Sequence, residues 1–358
     1  MLSIIDRYII GKFLKTFFFM LGIIMLFAMV FDVSEKLSDF ISNKAPVSAI
    51  LFEYYLNFLL FYGNLFSSMI IFISVIWFTA KMAQDTEIIP IWFSGKPFSR
   101  FVRPYMIGAT VLMLISLVLN HFVIPRANKN RLEFEEKYYR NAMIVQDYQA
   151  DFPDGSSVYF ANYSNSDGRV NDFILQRWND SNDLVYFLKA RQALNVEGTK
   201  KWQLIDFYEK KIGFPATKIN HGAKKDTIFD FQISEMAQRE NHAETMTFTE
   251  LTKFIDREKM KGSAWIPYFE IELHQRTSYP FAAYVLTIIG VAVSSEKRRG
   301  GIGLNIAIGL AFVFVYIFAM KMLTVASINV GFPVMLGVWI PNFLFAIAAM
   351  ILYKKAQK

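Results

Sequence analysis

Apolar residues dominate six stretches of the chain, each near the ~20 residues that a helix rising about 1.5 Å per residue needs to cross a hydrocarbon core. They run roughly from Phe13 to Phe31, Tyr54 to Ala80, Pro104 to Ile124, Thr277 to Ser295, Gly300 to Met320 and Pro333 to Tyr353. The second holds no charged residue, and the first holds only Lys15, close enough to its end to snorkel. Arg7, Lys12 and Lys15 precede the first run as in a secretory signal, but FDVSEKLSDF follows with no small-residue cleavage site. That run is therefore a span. Between the third and fourth spans the period changes to two. SSVYFANY, DFILQRW, LVYFLKARQALNV, KWQLIDFYEKK and DTIFDFQI alternate apolar and polar positions, separated by Asp, Gly, Asn and Lys clusters. This predicts an antiparallel sheet of about eight strands, built as a sandwich, jelly roll or open trough. Arg126 to Asn141 reads as a charged helix extending the third span, and TFTELTKFIDREKMKG from Thr247 as a helix with a Gly stop.

The fold class is a membrane α-helical bundle of six transmembrane helices with an inserted all-β, jelly-roll-like domain. The segments are 1–125 (three spans with a connecting helix at 85–95), 126–276 (the β domain with helical connectors) and 277–358 (three spans).

Composition supports a membrane reading: the chain is 54% hydrophobic and only 19% charged, with mean hydropathy +0.28, 36 Phe and no Cys. The net charge of +7 raises nucleic-acid binding, but its distribution argues against that. From Arg126 to Arg276 there are 22 basic and 23 acidic side chains, so the excess lies in short segments flanking the spans. Placing the N-terminus in the cytosol puts 13 Lys and Arg inside (Arg7, Lys12, Lys15, Lys81, Lys96, Arg100, Arg103, Lys297, Arg298, Arg299, Lys354, Lys355, Lys358). Only Lys36, Lys44 and Lys321 fall opposite. Both termini are thus expected in the cytosol and the central domain outside it.

Covalent chemistry finds no support. There is no Walker loop, since Pro90 stands where Gly95-Lys96 would need an upstream Gly. His121, His221, His242 and His274 show no HExxH spacing, and a zinc site without Cys is improbable. Ser294-Ser-Glu-Lys297 matches S-x-x-K but lacks its K-T-G partner. The chain is expected to be no enzyme and to bind no cofactor or metal.

Two features carry information. In the connection TAKMAQDTEIIPIWFSGKPFSRFVRP, Asp85 or Thr86 is placed to cap a helix, Glu87 suits its positive end, and Ile88, Ile91 and Trp92 form an apolar side before Gly95 stops it. Such a helix either rests among headgroups or docks in a groove of a soluble partner, with Glu87 as the charged anchor. The second feature is charge at the outer ends of the spans: Asp32, Glu35 and Lys36; Arg126, Lys129 and Arg131; and Lys321. Singly, such residues mark the water boundary. Together, cations on separate spans form a ring suited to an anionic lipid headgroup. His121 reads as an interfacial residue.

The opening IIDRYIIGKFLKTFFF, VFDVSEKL, MAQDTEIIPIWFSG, HFVIPRAN and the ending GFPVMLGVWIPNFLFA, in this order, resemble the lipopolysaccharide export permeases LptF and LptG over essentially the whole chain. IIDRYI leans toward the LptG type. The resemblance implies a paired LptF/LptG-type permease chain, two LptB-type ATPase subunits that hydrolyse ATP with Mg, and an LptC-type membrane-anchored β protein. It also implies extraction of lipopolysaccharide from the outer leaflet of the Gram-negative inner membrane onto a periplasmic β-jelly-roll bridge. The family's coupling helix corresponds to Asp85 to Gly95 and its acidic residue to Glu87. Pro90 departs from the pattern there, and inside a helix it would remove a hydrogen bond.

Each buried CH₂ holds a lipid in the bilayer by about 0.8 kcal/mol, so extraction requires an apolar path and cations for the phosphates. Asp32, Lys36, Arg126, Lys129, Arg131 and Lys321 are the expected headgroup residues. Val158, Phe160, Phe173, Leu175, Val185, Phe187, Trp202 and Leu204 are expected to share the acyl-facing side of the sheet. The rival readings are a non-transporting scaffold that displays a β domain, and a bundle that transmits ATPase motion without moving lipid.

Overall fold

The computed structural model describes residues 3–140, 144–152, 154–164, 168–179, 181, 183–195, 199–213, 216–229, 231, 240–261, 263, 265–295 and 301–356. Two compact units are present: 1–139 with 244–251 and 267–358, and 140–243 with 252–266.

The first unit is helical, and six of its helices are long and apolar enough to cross a membrane. α1 (Ile4–Ser42) starts at a capping box in which Ser3 Oγ accepts from the Asp6 amide and Asp6 Oδ2 accepts from the Ser3 amide. A three-residue turn, α2 (Val47–Ala49), leads through a π-helical turn at Ile50–Tyr55 into α3 (Leu56–Leu65) and α4 (Ser67–Gln84). The second apolar run is therefore two helices rather than one. It breaks at Phe66, between Gly63-Asn64 and Ser67-Ser68, where side chains compete for backbone and neighbouring helices. Asn64 bonds Asn120 and Ser116, and Ser68 Oγ donates to the Tyr279 carbonyl.

α5 (Ile89–Phe93) is a short helix, shorter than the expected 85–95. Thr86 cannot serve as its cap, because it adopts a left-handed φ of 60° and its hydroxyl donates to the Asp85 carbonyl. Pro90 lies in the first turn, where its missing N–H would have had no helical partner, so it costs no bond. Gly95, at φ 70°, ends the turn as expected. α6 (Phe98–Val118) runs through a second π-helical turn at Leu119–Val123 into α7 (Ile124–Tyr138). Pro125 has no N–H for the His121 carbonyl, which accounts for the widened turn before it. As expected, the charged stretch after Arg126 continues the third span.

α8 (Phe248–Met260), α9 (Ile266–Ser294), α10 (Gly301–Asn329) and α11 (Val334–Ala356) complete the helices. Four helical glycines set close crossings: a Cβ on Gly108 would overlap the Phe13 ring, one on Gly309 would overlap Ile76, one on Gly337 would overlap the Ser327 hydroxyl, and one on Gly290 would sit 2.9 Å from Val75. Small residues let packed helices approach in this way in a bundle without a hydrophobic driving force.

The second unit contains one six-stranded antiparallel sheet in nearest-neighbour order: β1 (Ile144–Asp151), β2 (Ser156–Ser164), β3 (Arg169–Trp178), β4 (Leu184–Asn195), β5 (Lys201–Lys211) and β6 (Lys218–Ile228). Among the described residues there are six strands, fewer than the eight expected. Asp147, Asp172 and Asp206 on alternate strands have φ of 49°, 51° and 55° and are skipped in the pairing. They lie on a line across the sheet where the side-chain alternation slips by one while the pairing register is kept on both sides. Thus Val170 and Phe173, Ala190 and Ala193, and Leu204 and Phe207 all face the same buried side, three residues apart.

We expect Gly108→Val to lower the thermal midpoint of the detergent-solubilised chain, by an overpacking cost of about 1–3 kcal/mol. Gly11→Ala, with open space around its Cβ, leaves it unchanged or raised. Equal midpoints, read by tryptophan fluorescence, would contradict the α1–α6 contact.

Candidate functional site

Expected site residues fall at both ends of the helical unit and in the sheet. At the end where α1 finishes, Lys36 is not free. Its ammonium pairs with Asp32 four residues earlier and donates to the Tyr54 hydroxyl, while Tyr54 and Tyr55 donate to Asp32. The ammonium also lies 4.7 Å from the Tyr139 ring centre and 5.0 Å from that of Tyr54. The π-helical turn presents both tyrosines, and Phe40 and Phe134 pack around them. Asp32 is thus the counter-ion of Lys36.

Arg131 departs from expectation in the same way. It is buried, paired with Glu135, bonded to Asn128 Oδ1 through Nε (3.0 Å) and Nη2 (2.6 Å), and stacked 4.8 Å from the Phe61 ring. Lys129 is exposed and 3.9 Å from Glu133. Arg126 and Lys321 are exposed, with no ion pair among the described residues. Lys321 stands out because its exposed neighbours on α10 are apolar: Phe314, Phe318, Met322 and Val325. Glu35 is exposed. His121 is half-buried, its Nδ1 3.0 Å from the Leu117 carbonyl and its ring beside Phe248.

Sequence reasoning did not find the polar cluster behind Arg131. Asn128 Nδ2 donates to Glu244 (2.9 Å), and the buried Arg276 donates to Glu272 (2.8 Å) and to the Met246 carbonyl (2.7 Å). This ties Glu244 and Met246 to α7 and α9. Two i, i+4 Arg/Glu pairs, in RLEFE and EIELHQR, were the available signal; Glu244 gave none. Burial, reinforced by the negative charge of Glu272, pushes the Glu244 carboxyl up to about 7, against the Asn128 hydrogen bond and the fields of Arg131 and Arg276.

At the end where α1 begins, Glu87 is also engaged: it pairs with Lys12 (3.2 Å) and accepts from Tyr8 (2.9 Å). Arg100 grips Asp6 with two bonds of 2.6 and 2.7 Å. The apolar side differs from the expected one. Ile88 is buried and Ile91 packs on the core of the unit, so both face inward. Ile89 and Phe93, one turn apart, are exposed, Phe93 by 87%. Asp85 and Gly95 are exposed too. The Trp92 side chain, with Lys297, Arg298, Arg299 and Lys358, lies outside the described residues.

In the sheet, Val158, Phe160, Phe173, Leu175, Trp202 and Leu204 share one buried face, as expected. Val185 and Phe187 do not: Val185 is exposed, and Phe187 meets the exposed Tyr208. The correct β4 residues are Leu188, Ala190 and Ala193, with Tyr186 packed beside them. LVYFL is apolar on both sides, so alternation alone could not choose. Phe229 stacks on Phe173, Phe231 meets Trp202 edge-on, and Trp202 Nε1 donates to the Phe231 carbonyl (3.1 Å), so aromatic side chains close over this part of the face.

A carboxyl whose folded value is raised above its usual 4.5 binds more protons folded than unfolded between the two values. The buried placement of Glu244 is therefore most stable at low pH and loses that stability as pH rises through about 7. Amide exchange of the stretch from Glu244 to Leu251, corrected for intrinsic rates, should accelerate from pH 5.5 to pH 8, an interval of about one unit or more either side of that value. Glu244→Gln should flatten the dependence; an unchanged profile would count against the assignment.

No curated protein matches the chain. A family model described as lipopolysaccharide export system permease LptF/LptG matches residues 7–355, nearly the whole length, without separating the two types. With six spans and one β domain inserted between the third and fourth, the chain belongs to the LptF/LptG family of lipopolysaccharide export permeases.

Proposed function

We propose that this chain is one half of a permease pair that draws lipopolysaccharide from the outer leaflet of the inner membrane and passes it to a periplasmic β bridge. A separate LptB-type ATPase drives it from the cytosol, alongside an LptC-type partner. The excess of Lys and Arg in the short connections at one end supports cytosolic termini and an exported sheet.

The observation that carries the reading is Lys321, an exposed cation on a helix whose exposed surface is otherwise hydrocarbon-like. It lies eight residues before the end of α10 at Asn329, about 12 Å along the axis. An ammonium at that depth is costly unless it meets water or an anion, and a lipid phosphate at the same leaflet level supplies one. Arg126 adds a second exposed cation at the start of α7. Lys36 and Arg131 support the site indirectly, as neutralised groups that shape its wall.

Docking to the ATPase is assigned to Ile89 and Phe93, which offer apolar surface, with Asp85 beside them. Glu87 holds the turn against α1 through Lys12 and Tyr8, and so positions that surface.

Two outcomes check this. Lys321→Glu should weaken lipopolysaccharide binding to the reconstituted complex by about tenfold or more, the scale of losing a charge-assisted contact and adding repulsion. Equal affinity would return Lys321 to a boundary role. Phe93→Asp should remove the ATPase from the purified complex more completely than Glu87→Gln does. The reverse order would make Glu87 the direct anchor.

A further inference from the structure

The buried face of the sheet changes character at one end. Pairing aligns Arg177 with Tyr186, Tyr186 with Lys211, and Lys211 with Lys218. Arg177, Tyr186 and Lys211 each stand two residues beyond a member of the buried side: Leu175, Leu188 and Glu209. Lys218 extends the row on β6 beside Asn220, the cross-strand neighbour of Glu209. By the two-residue period this row shares the buried side, at the ends of β3 and β5. Toward the other end, the same side carries Trp202 against Phe229 and Phe231, which are apolar.

Charge in the row is unbalanced. Glu209, itself buried, accepts from Lys225 (2.5 Å) and Tyr186 (3.1 Å), with Lys211 more distant at 3.8 Å. Among the described residues Lys225 is the one cation within hydrogen-bond distance of the carboxylate. Asp154, in the adjoining turn, is engaged by the amide and hydroxyl of Ser156. Arg177 lies 5.7 Å from the Tyr186 ring centre and, like Lys218, has no ion pair among the described residues. Arg177, Lys211 and Lys218 are exposed and remain as an excess of positive charge bordering an apolar strip.

We propose that this row is a subsite for the phosphate groups of an amphiphile whose hydrocarbon lies along the apolar side of the sheet. The proposal rests on the permease reading and adds where in the β domain the charged end of the lipid is held. A phosphate monoester carries nearly two negative charges and three acceptor oxygens. The Arg177 guanidinium offers a fork of N–H donors to two of these oxygens, while Lys211 and Lys218 act as point charges. Glu209 keeps Lys225 directed at itself and bars a fourth cation from the row. The eleven residues of β5 span about 36 Å at ~3.3 Å each, room for an acyl chain between the aromatic end and the cationic row.

The test uses the full chain in its reconstituted complex, with a benzoyl-phenylalanine photocrosslinker at Tyr186 or at Phe160. With lipopolysaccharide, both positions should capture lipid during ATP turnover. Lys211→Ala combined with Lys218→Ala should lower capture at Tyr186 by about fivefold or more while sparing Phe160, as should phosphatase-treated lipopolysaccharide on the unaltered chain. Equal capture at Tyr186 with native and dephosphorylated lipid would overturn the subsite. Absence of capture at both positions would instead sink the permease reading on which it rests. To separate a lipid phosphate from a free one, acylation of Lys211 and Lys218 is followed by mass spectrometry. Protection by lipopolysaccharide but not by inorganic phosphate supports the proposal, and equal protection by inorganic phosphate alone would make this a free-anion site and refute it.

Discussion

In hydrocarbon, and at its edge, a charged or polar side chain must find its partner within the protein. That constraint explains more of the helical unit than any single packing contact. Lys36 takes Asp32 one turn away, Arg131 takes Glu135, and Arg276 takes Glu272. Each pair is built within one helix, so it forms without depending on how helices later move. Asn64 with Asn120 and Ser116, Tyr316 with Asn342, and Tyr284 with Thr110 then satisfy polar groups between helices. Against this background Lys321 and Arg126 stand apart, exposed with no ion pair among the described residues, and such a cation is chemically available to a ligand.

The irregular backbone follows from the same rule. Pro125 cannot give a hydrogen bond, and the chain answers with a π-helical turn instead of an open carbonyl facing lipid. The turn at Ile50–Tyr55 places two tyrosine hydroxyls on one carboxylate. Breaking one partner of the Arg131–Glu135 pair would leave a buried charge uncompensated, a loss of about 3–5 kcal/mol, whereas the pair itself adds little net stability. Its role is to fix arrangement: Asn128, held by Arg131, is the residue that reaches Glu244.

Architecture was legible in the sequence because span length and strand alternation are local signals. The six apolar runs and the switch to period two each stand in one window of residues. Side-chain partnership was less legible. Lys36 and Arg131 read as available cations because their rank in the sequence shows charge, while the carboxylate one turn away reads as just another boundary residue. Facing failed for a similar reason: Ile88 and Ile89 are chemically alike, and only the left-handed Thr86 before them decides which enters the core. In β4, apolar residues on both sides of LVYFL erased the alternation that placed Trp202 and Leu204 correctly. Glu244 had no readable signal, since its partners lie more than a hundred positions earlier and about thirty positions later in the chain.

The sheet combines an apolar side with a line of left-handed Asp residues at which the alternation slips in register. Without Asp147, Asp172 and Asp206, strict alternation would bring Val170 to the side opposite Phe173 and Leu204 opposite Phe207. The slip keeps both halves of each strand apolar toward the same space, and so lengthens a continuous greasy strip beyond what a regular strand of this sequence could present. In the structure that strip is a packed core, with Phe229 and Phe231 lying on Trp202 and Phe173. On the route proposed above, a hydrocarbon chain entering it would have to replace those ring contacts with its own. Because dispersion contacts of ring and acyl carbon are similar per atom, the exchange is close to balanced in energy. Near balance is what the proposed passage would require, since a face that gripped acyl chains far more tightly than its own rings would hold the lipid instead of releasing it onward.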